Sequence, residues 1–333
     1  MKPPFQAVNI DCNFEYTFET ERLAAAGIDL VLRKSTTEDE IIRACAEADA
    51  VVLEGAKTPM TARVIGALPR CRVIAKYAVG VDNVDVEAAT AAGIVVANAA
   101  DYCTEEVSDH AVALLLASAR RVMSMDRFVR RGEWSGFTKT HPLRRVNQLT
   151  LGLVGLGRIA RATARKMAGF HMRILAADPY VSGPTADNGI EVVPLERLLR
   201  ESDLISVHVP LNAETRGLIG AAEFRSMKPT AVVVNTSRGP VIDQDALIVA
   251  LREEWIAGAA LDVVAEEPLP ASSPLRDFDR VILTPHTGAD SLDSMKHVRR
   301  TVVESVTAVL SGFWPPFPVN AKTSPRFPLR PGA

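Results

Sequence analysis

Cysteine is scarce in this sequence: Cys12, Cys45, Cys71 and Cys103 are the 4 cysteines among 333 residues. No two of them form a C-x-x-C pair, and none lies near a histidine at a spacing that suits a metal ion. A disulfide framework is therefore excluded as the organising feature of the fold. We predict four reduced thiols and no metal site.

An excess of charge of one sign is also missing, because 38 basic residues face 40 acidic ones. Such a balance gives no broad field to hold a nucleic-acid backbone or an anionic membrane. No window approaches the ~18 uninterrupted apolar residues of a membrane span, and residues 1–10 contain no apolar leader segment. We therefore expect a cytoplasmic protein with a small-molecule partner, and neither nucleic acid nor membrane.

Short β-branched runs alternate with longer segments rich in Ala, Leu and Arg, which is the pattern of a parallel sheet built from βα units. At ~150 residues per domain the length suggests about two domains. The predicted fold class is α/β, with two doubly wound parallel sheets. Strands are predicted near residues 8–11, 29–33, 50–54, 73–77 and 94–97, and then near 149–154, 172–177, 204–209, 231–235, 258–262 and 281–284.

Three other segments are assigned from their composition and periodicity. Residues 104–128 carry apolar side chains at a helical period, so we predict one long crossover helix there. Residues 126–147 are polar and rich in arginine around Trp134, which favours a subunit-contact arm. A last helix is predicted over 291–311, and the proline-rich residues from Arg326 onward are expected to be loose.

A glycine-rich turn follows the predicted strand 149–154, where residues 155–160 read G-L-G-R-I-A. Gly155 permits the tight turn, Gly157 lets the backbone approach a pyrophosphate, and Ala160 allows close packing of helix on strand. The helix N-terminus behind the turn presents N–H groups to an anion. This G-x-G-x-x-A pattern between strand and helix predicts a dinucleotide site.

An acidic residue strengthens that prediction, because Asp178 ends the next strand 21 residues after Gly157. A carboxylate at this place accepts hydrogen bonds from both ribose hydroxyls, which favours NAD. It would repel a 2′-phosphate, although Arg158 and Arg173 nearby leave NADP open. An ordinary βα turn with a surface aspartate is the alternative interpretation.

Three polar residues follow the ends of predicted strands, where open α/β sheets bind their ligands. Arginine holds a carboxylate bidentately, which suits Arg238. Histidine exchanges a proton near neutral pH, which suits His286, and a carboxylate beside it raises the imidazole pKa, which suits Glu267. Together they predict transfer of a hydride between a nicotinamide and a 2-hydroxy acid. Taken one at a time, each could instead be a surface charge or a turn residue.

Among the other histidines, His208 ends a strand on the cofactor side, and its backbone is a candidate lining of the adenine pocket. The remaining four are predicted to be structural: His110, His141, His171 and His297.

These motifs resemble the D-isomer-specific 2-hydroxyacid dehydrogenase family over nearly the whole chain. The matching stretches are residues 79–83, 155–160, 208–211, 235–239, 262–268 and 285–286. The resemblance implies a flavodoxin-like substrate domain over 1–100 and 290–333, a Rossmann NAD-binding domain over 101–289, an active site in the cleft and a homodimer. Residues 11–15, 77–83 and 103–110 look most like the branch of C-terminal-binding proteins, which includes corepressors.

The resemblance also implies roles for individual residues. Arg238 looks like the carboxylate-binding arginine, Glu267 and His286 like the acid/base pair, and the N–H groups of Val79 and Gly80 like a second carboxylate grip. Asp262 looks like the acceptor for the nicotinamide carboxamide. Further cofactor contacts are implied at Thr104, Arg158, Ile159, Val209, Pro210, Thr215, Thr236 and Ser237.

Two lysines are separate candidates for binding a second anionic group of the substrate, namely Lys57 and Lys76. Each lies near the end of a predicted strand of the first domain, and the alternative for each is a surface lysine.

The function predicted is an NAD-dependent D-2-hydroxyacid dehydrogenase that acts on a small 2-hydroxy or 2-oxo acid. Two alternatives stay open at this point: an NAD-sensing, corepressor-like binding protein, and a phosphite-type dehydrogenase on the same fold. The intact Arg238, Glu267 and His286 set favours the enzyme, because a scaffold has no use for a tuned imidazole.

Overall fold

The computed structural model describes residues 4–55, 58–134, 143–181, 183, 185–186 and 189–332. The chain forms two compact units. The first unit comprises Met1–Tyr102 and Ser291–Ala333, and the second unit comprises Cys103–Asp290.

The first unit is a five-stranded parallel sheet flanked by helices. Its strand order is β2-β1-β3-β4-β5, so the chain reverses direction across the sheet between β1 and β3. Its elements are β1 Phe5–Asn9, α1 Thr17–Ala25, β2 Ile28–Leu32, α2 Glu38–Cys45, β3 Ala50–Leu53, α3 Ala62–Gly66, β4 Val73–Lys76, α4 Val86–Ala91 and β5 Val95–Ala97, and later in the chain the long helix Leu292–Leu310.

The second unit contains an eight-stranded sheet in which every pairing but the last is parallel. Its elements are α5 Thr104–Ala119, α6 Val122–Arg130, β6 Thr150–Val154, α7 Arg158–Met167, β7 Arg173–Ala177, β8 Thr185–Ala186, β9 Ile190–Val192, α8 Leu195–Glu201, β10 Leu204–Val207, α9 Ala221–Ser226, β11 Val232–Asn235, α10 Gln244–Arg252, β12 Gly258–Leu261 and β13 Val281–Leu283; the helix Leu292–Leu310 is α11. The strand order is β13-β12-β11-β10-β6-β7-β9-β8.

Burial of both faces explains why the strands are short apolar runs. The central strands β3, β4, β6 and β10 are buried along almost their whole length, as expected where helices cover both sides of a parallel sheet. In the second unit the order changes direction between β6 and β10. That switch point, at the carboxyl ends of the strands, is where such sheets form a ligand crevice.

The predicted fold class is confirmed, and every predicted strand is present with its bounds shifted by a few residues. The structure adds α4 and the short strands β8 and β9, which the sequence pattern did not predict. Strands of two or three residues are too short to show a period.

The predicted crossover helix over 104–128 is wrong, because it is two helices. The helix is interrupted between α5 and α6, where Arg121 has φ of +53°. Helix α6 therefore occupies the start of the segment predicted as a polar arm, and residues 135–142 of that arm lie outside the described residues.

The expectation of a loose tail is also wrong. The Arg326 side chain donates to the carbonyl oxygens of Leu68 and Pro69, and the Arg330 N–H donates to the Gly312 oxygen at 2.9 Å. Asn320 is buried against β5, where its amide accepts from Val96 and donates to Ile94. Prolines rule out a helix here but do not prevent extended packing.

None of the helices described here is long and apolar enough to cross a membrane. The described part of the chain also holds no cluster of three or more His, Cys, Asp or Glu side chains suited to a metal ion.

A close approach at Gly152 supplies a test of the packing of β6. A Cβ atom there would lie 2.6 Å from Leu198 Cδ2 in α8 and would meet the hydroxyl of Ser202, the residue after that helix. We expect Gly152→Ala to lower the free energy of unfolding by about 1–3 kcal/mol, measured by urea or thermal unfolding. The matched control is Gly66→Ala in α3, whose Cβ would meet nothing within 4 Å; equal destabilisation by both would contradict the prediction.

Candidate active site

The three residues predicted to carry the chemistry follow three neighbouring strands. Arg238 follows β11, Glu267 follows β12 and His286 follows β13, and these strands are paired in parallel with register pairs such as Asn235 with Leu261. Because parallel strands end at the same edge of a sheet, the three loops emerge side by side. The fold thus brings together residues far apart in the chain.

His286 and Glu267 form the central contact of the site. His286 Nδ1 lies 2.7 Å from Glu267 Oε2. This hydrogen bond raises the pKa of His286 above its ordinary value, against the opposing effect of burial and of the nearby Arg238 guanidinium. Burial alone would raise the pKa of Glu267, but hydrogen bonds from His286 and from the Val264 N–H hold it below its usual value. Each partner of the pair thus favours the charged form of the other.

The turn that carries His286 is held by Asp262. The Asp262 carboxylate accepts hydrogen bonds from the N–H groups of Thr287 at 3.0 Å and Gly288 at 2.9 Å. Its backbone oxygen accepts from the His286 N–H at 2.8 Å. His286 itself has φ of +57°, a left-handed conformation that few non-glycine residues adopt. The turn is therefore set by its contacts with Asp262.

Asp262 is 3% exposed, so its charge depends on these donors. Burial alone would raise the pKa of Asp262, but hydrogen bonds from His110, Thr284 and the two backbone N–H groups outweigh it and hold the pKa far below the usual range. The carboxylate is thus ionised at neutral pH. Its predicted contact with a nicotinamide carboxamide stays a prediction.

Arg238 lies in a loop that Asn235 shapes. The Asn235 side chain accepts from the Ser237 N–H at 3.0 Å and donates to the Arg238 oxygen at 2.9 Å. The half-buried Arg238 guanidinium donates to the Ser237 oxygen at 2.9 Å and is close enough to lower the pKa of His286. At Gly239 an added Cβ would collide with the Val264 backbone, so the loops after β11 and β12 are in direct contact.

The glycine-rich turn lies at the switch point, as its motif predicts. Gly155 has φ of +89°, and a Cβ on it would lie 2.9 Å from Val209 Cγ1. A Cβ on Gly157 would meet nothing within 4 Å, and α7 begins there without a side-chain cap. The turn therefore leaves open space in front of a helix N-terminus.

Asp178 links the end of β7 to this turn. One carboxylate oxygen accepts from the Leu156 N–H at 2.8 Å and the other from the Tyr180 N–H at 2.9 Å. Each oxygen keeps a lone pair for another donor. Arg173, in contrast, is held by Glu191 and Glu201 at 2.7 and 2.8 Å.

These residues fit a dinucleotide on two observations of this chain. Space remains open at Gly157, and the buried Thr236 Oγ1, just beyond β11, has no hydrogen-bond partner among the described residues. A buried hydroxyl without a partner is uncommon, and a polar ligand at this edge would satisfy it.

The other predicted cofactor positions lie along the same unit. Three of them make hydrogen bonds within the unit: His208 Nε2 meets Ser206 Oγ at 2.9 Å, Thr215 Oγ1 donates to the Pro210 oxygen at 2.5 Å, and Ser237 Oγ donates to Asn235 at 2.8 Å. Burial lowers the pKa of His208 to about 4, so its imidazole is neutral. Thr104 and Arg158 begin α5 and α7, Ile159 is half-buried in α7, and Val209 and Pro210 follow β10.

Val79 and Gly80 lie in the first unit, in the loop after β4. Among the described residues, neither N–H group has an acceptor. The loop is held elsewhere, since the Asn98 side chain donates to the Val79 oxygen at 2.6 Å. These free N–H groups are compatible with the predicted carboxylate grip, which stays a prediction.

The two candidate lysines are not equivalent. Lys57 lies outside the described residues. Lys76 is 2% exposed, so the expectation of a surface lysine is wrong. Its ammonium donates to the backbone oxygens of Glu54 at 3.2 Å and Gly55 at 2.6 Å, and so it fixes the loop after β3.

Sequence reasoning missed His110, which it treated as structural. The structure puts His110 Nε2 3.0 Å from Thr284 Oγ1 and 3.4 Å from Asp262 Oδ1. The only signal in the sequence is the place of His110 on the helix that follows the first series of strands.

Comparison with known proteins links this geometry to an enzyme family. Residues 112–288 match the family model described as D-isomer specific 2-hydroxyacid dehydrogenase, NAD binding domain. A glyoxylate reductase of Korarchaeum cryptofilum is 46% identical over 267 residues, which cover 79% of this chain and 80% of the relative.

Two solved structures illustrate the fold and its cofactors. A D-lactate dehydrogenase from Aquifex aeolicus complexed with NAD and lactic acid has a TM-score of 0.82 at 27% identity, covering 92% of this chain and 96% of that one. An NADPH-dependent glyoxylate/hydroxypyruvate reductase from Sinorhizobium meliloti, with NADP and malonate, has a TM-score of 0.82 at 29% identity and covers 99% of each chain. The expectation of a corepressor-like branch stays a prediction.

The His286–Glu267 contact predicts a measurable titration. Glu267→Gln keeps the shape of the side chain and removes its charge, so we expect the pKa of His286 to fall toward its ordinary value. The ring C–H signal of His286, one of 6 histidines, is followed by NMR against pH and assigned with His286→Gln. The matched control is Glu266→Gln at the exposed neighbouring position; a fall of similar size in that variant would contradict the assignment.

Proposed function

The chain belongs to the D-isomer specific 2-hydroxyacid dehydrogenase family, and from this premise we propose that it interconverts a small 2-oxo acid and its D-2-hydroxy acid with NAD(H). It is an oxidoreductase that acts on CH–OH donors with NAD(P). The observation that carries the proposal is the 2.7 Å hydrogen bond between His286 and Glu267 beside Arg238. That set offers a proton donor, a group that tunes it and a cation for a carboxylate.

We assign the roles by charge and protonation. Arg238 binds the substrate carboxylate, as a planar guanidinium does bidentately. Protonated His286 gives its proton to the C2 oxygen when the 2-oxo acid is reduced, and neutral His286 takes the hydroxyl proton in the reverse direction. Glu267 stabilises the imidazolium and orients the ring. A bound nicotinamide supplies or accepts the hydride.

The direction of the His286 pKa shift sets the pH dependence. Because the pKa of His286 is raised, the imidazolium that reduction needs persists to higher pH than it would in an unperturbed histidine, and it is lost as the pH rises past the raised value. Reduction therefore slows on the alkaline side, whereas oxidation, which needs the neutral ring, speeds up there.

We propose NAD as the cofactor, held by the turn of Gly155 and Gly157 with Asp178 on the ribose and Thr236 near the inner end. The lone pairs left on Asp178 suit ribose hydroxyls, while its charge opposes a 2′-phosphate. Arg173 is engaged by two glutamates, so it supports NADP poorly. The remaining predicted contacts are proposed on the family likeness.

Glyoxylate is the first substrate to test, because the relative from Korarchaeum cryptofilum is named glyoxylate reductase. Neither alternative from the sequence is favoured. An NAD sensor has no need for a hydrogen-bonded Glu267–His286 pair, and no described feature points to phosphite rather than to a carboxylate.

A homodimer is proposed as well. Helix α6 buries none of its residues, and it exposes apolar side chains such as Val122 and Val129 at 52% and 47%. Exposed apolar residues on one helix are typical of a surface that contacts another chain.

The proposed reaction is tested by oxidation of NADH with a panel of 2-oxo acids from glyoxylate and pyruvate to branched, aromatic and dicarboxylic members. We expect turnover with a small member, and a kcat about 100-fold to 10,000-fold lower for His286→Ala, since proton transfer is lost. The control is His171→Asn, an exposed histidine of the same unit. NADH binding without turnover of any member would overturn the proposal and favour a sensor, and turnover of phosphite alone would favour the other alternative.

The choice of cofactor is tested by Asp178→Asn, which keeps one acceptor oxygen and removes the charge. We expect the kcat/KM ratio for NADPH over NADH to rise by about tenfold or more, because like charges held together cost several kcal/mol. Steady-state kinetics with both cofactors measure it. Arg173→Gln in the Asp178→Asn background is the control; a large loss of NADPH activity there would contradict the assignment of Arg173 to its two glutamates.

A further inference from the structure

His110 lies in the middle of α5 and reaches the end of β13, 174 residues further along the chain. Its Nε2 atom is 3.0 Å from Thr284 Oγ1 and 3.4 Å from Asp262 Oδ1. The His110 side chain is 23% exposed, so the ring is largely enclosed. This contact joins a helix to the start of the turn that carries His286.

The hydrogen positions follow from counting donors and acceptors. The pKa of Asp262 is held far below the usual range, so its carboxylate only accepts. Thr284 must therefore use its one hydroxyl hydrogen on Asp262 Oδ1, 2.6 Å away. Thr284 Oγ1 then accepts from His110, which requires the proton of the His110 ring to be on Nε2. His110, Thr284 and Asp262 thus form a hydrogen-bonded chain, and the same Nε2–H also faces Asp262 Oδ1 directly at 3.4 Å.

That chain ends on the turn of His286. The same Asp262 carboxylate accepts from the N–H groups of Thr287 and Gly288, the two residues that follow His286. Gly288 is buried against it, since an added Cβ would lie 2.9 Å from Asp262 Oδ2 and 3.5 Å from His110 Cδ2. A shift of the Asp262 carboxylate would therefore move the backbone directly after the left-handed residue His286.

We propose that His110 is a positioning residue: through Thr284 and Asp262 it holds the turn 284–288 so that the imidazole of His286 stays on Glu267. The inference deepens the proposed function, on which its catalytic consequence rests. The groups that face His286 are Glu267, Arg238 and Asp262, and His110 acts through the last of these without touching the reacting atoms.

The test uses the whole protein, four single variants and one double variant. His110→Leu removes the donor. His110→Gln places an amide N–H near the position of Nε2, whereas His110→Asn reaches only as far as Nδ1. Thr284→Val removes the hydroxyl at nearly constant shape. The NMR titration of His286, which needs no substrate, is measured in each variant together with kcat, KM and thermal stability.

We expect the pKa of His286 to fall toward its ordinary value in His110→Leu and in Thr284→Val, and kcat to fall about 10-fold to 100-fold, as for small displacements of a reacting group. His110→Gln should recover most of both quantities, and His110→Asn should not. The loss in the double variant His110→Leu with Thr284→Val should be clearly smaller than the sum of the two single losses, because both side chains act on the same Asp262 carboxylate.

Three results would overturn the inference: a His286 titration unchanged in folded His110→Leu, equal behaviour of the Gln and Asn variants, or additive losses in the double variant. If His110→Leu does not fold, Thr284→Val and the Gln and Asn pair still decide. A wild-type protein that turns over no 2-oxo acid would refute the proposed function, while the titration would still test the role of His110.

Discussion

The buried charge of Asp262 is the constraint on which the end of the second unit's sheet depends. A carboxylate that is 3% exposed is stable as an anion only when hydrogen-bond donors replace water. Here those donors are Thr284, His110 and two consecutive backbone N–H groups. Two of them belong to the turn after His286, so satisfying the charge fixes the path of the backbone. The left-handed conformation of His286 is a consequence of that path and is maintained by it.

Parallel register supplies the second constraint. Strands β11, β12 and β13 are adjacent and aligned, so the residues just past their ends share one edge although they are widely spaced in the chain. Close backbone contact then fixes the loops laterally, as where Gly239 meets the backbone of Val264. The register of the sheet therefore brings the three candidate residues together, without contacts between side chains from distant parts of the chain. The site requires only three loops of suitable length after three neighbouring strands.

The difference between local sequence pattern and contacts between distant residues explains what could be predicted from the sequence. Buried parallel strands are apolar runs, and a glycine-rich turn has to follow a strand, so the strands and the position of Gly155 and Gly157 were predictable from local pattern. The break at Arg121 was not, since the apolar period continues across it. The tail was missed because its order comes from distant contacts, such as Arg72 placed 4.9 Å from the ring centre of Phe5 and 3.8 Å from that of Phe327. His110 was missed for the same reason, because its partners are set by tertiary packing.

The two carboxylates of the site differ in environment and hence in role. Asp262 is surrounded by donors and stays ionised, whereas the Glu267 side chain is 33% exposed and has His286 as its main partner. Asp262 therefore keeps a constant negative charge and fixes the turn, whereas Glu267 pairs directly with the imidazole and stabilises its protonated form. Both carboxylates raise the pKa of His286, whereas the Arg238 guanidinium lowers it. On the proposed assignment, a substrate carboxylate bound to Arg238 offsets that effect, so binding itself raises the pKa of His286 and favours the protonated ring that reduction requires.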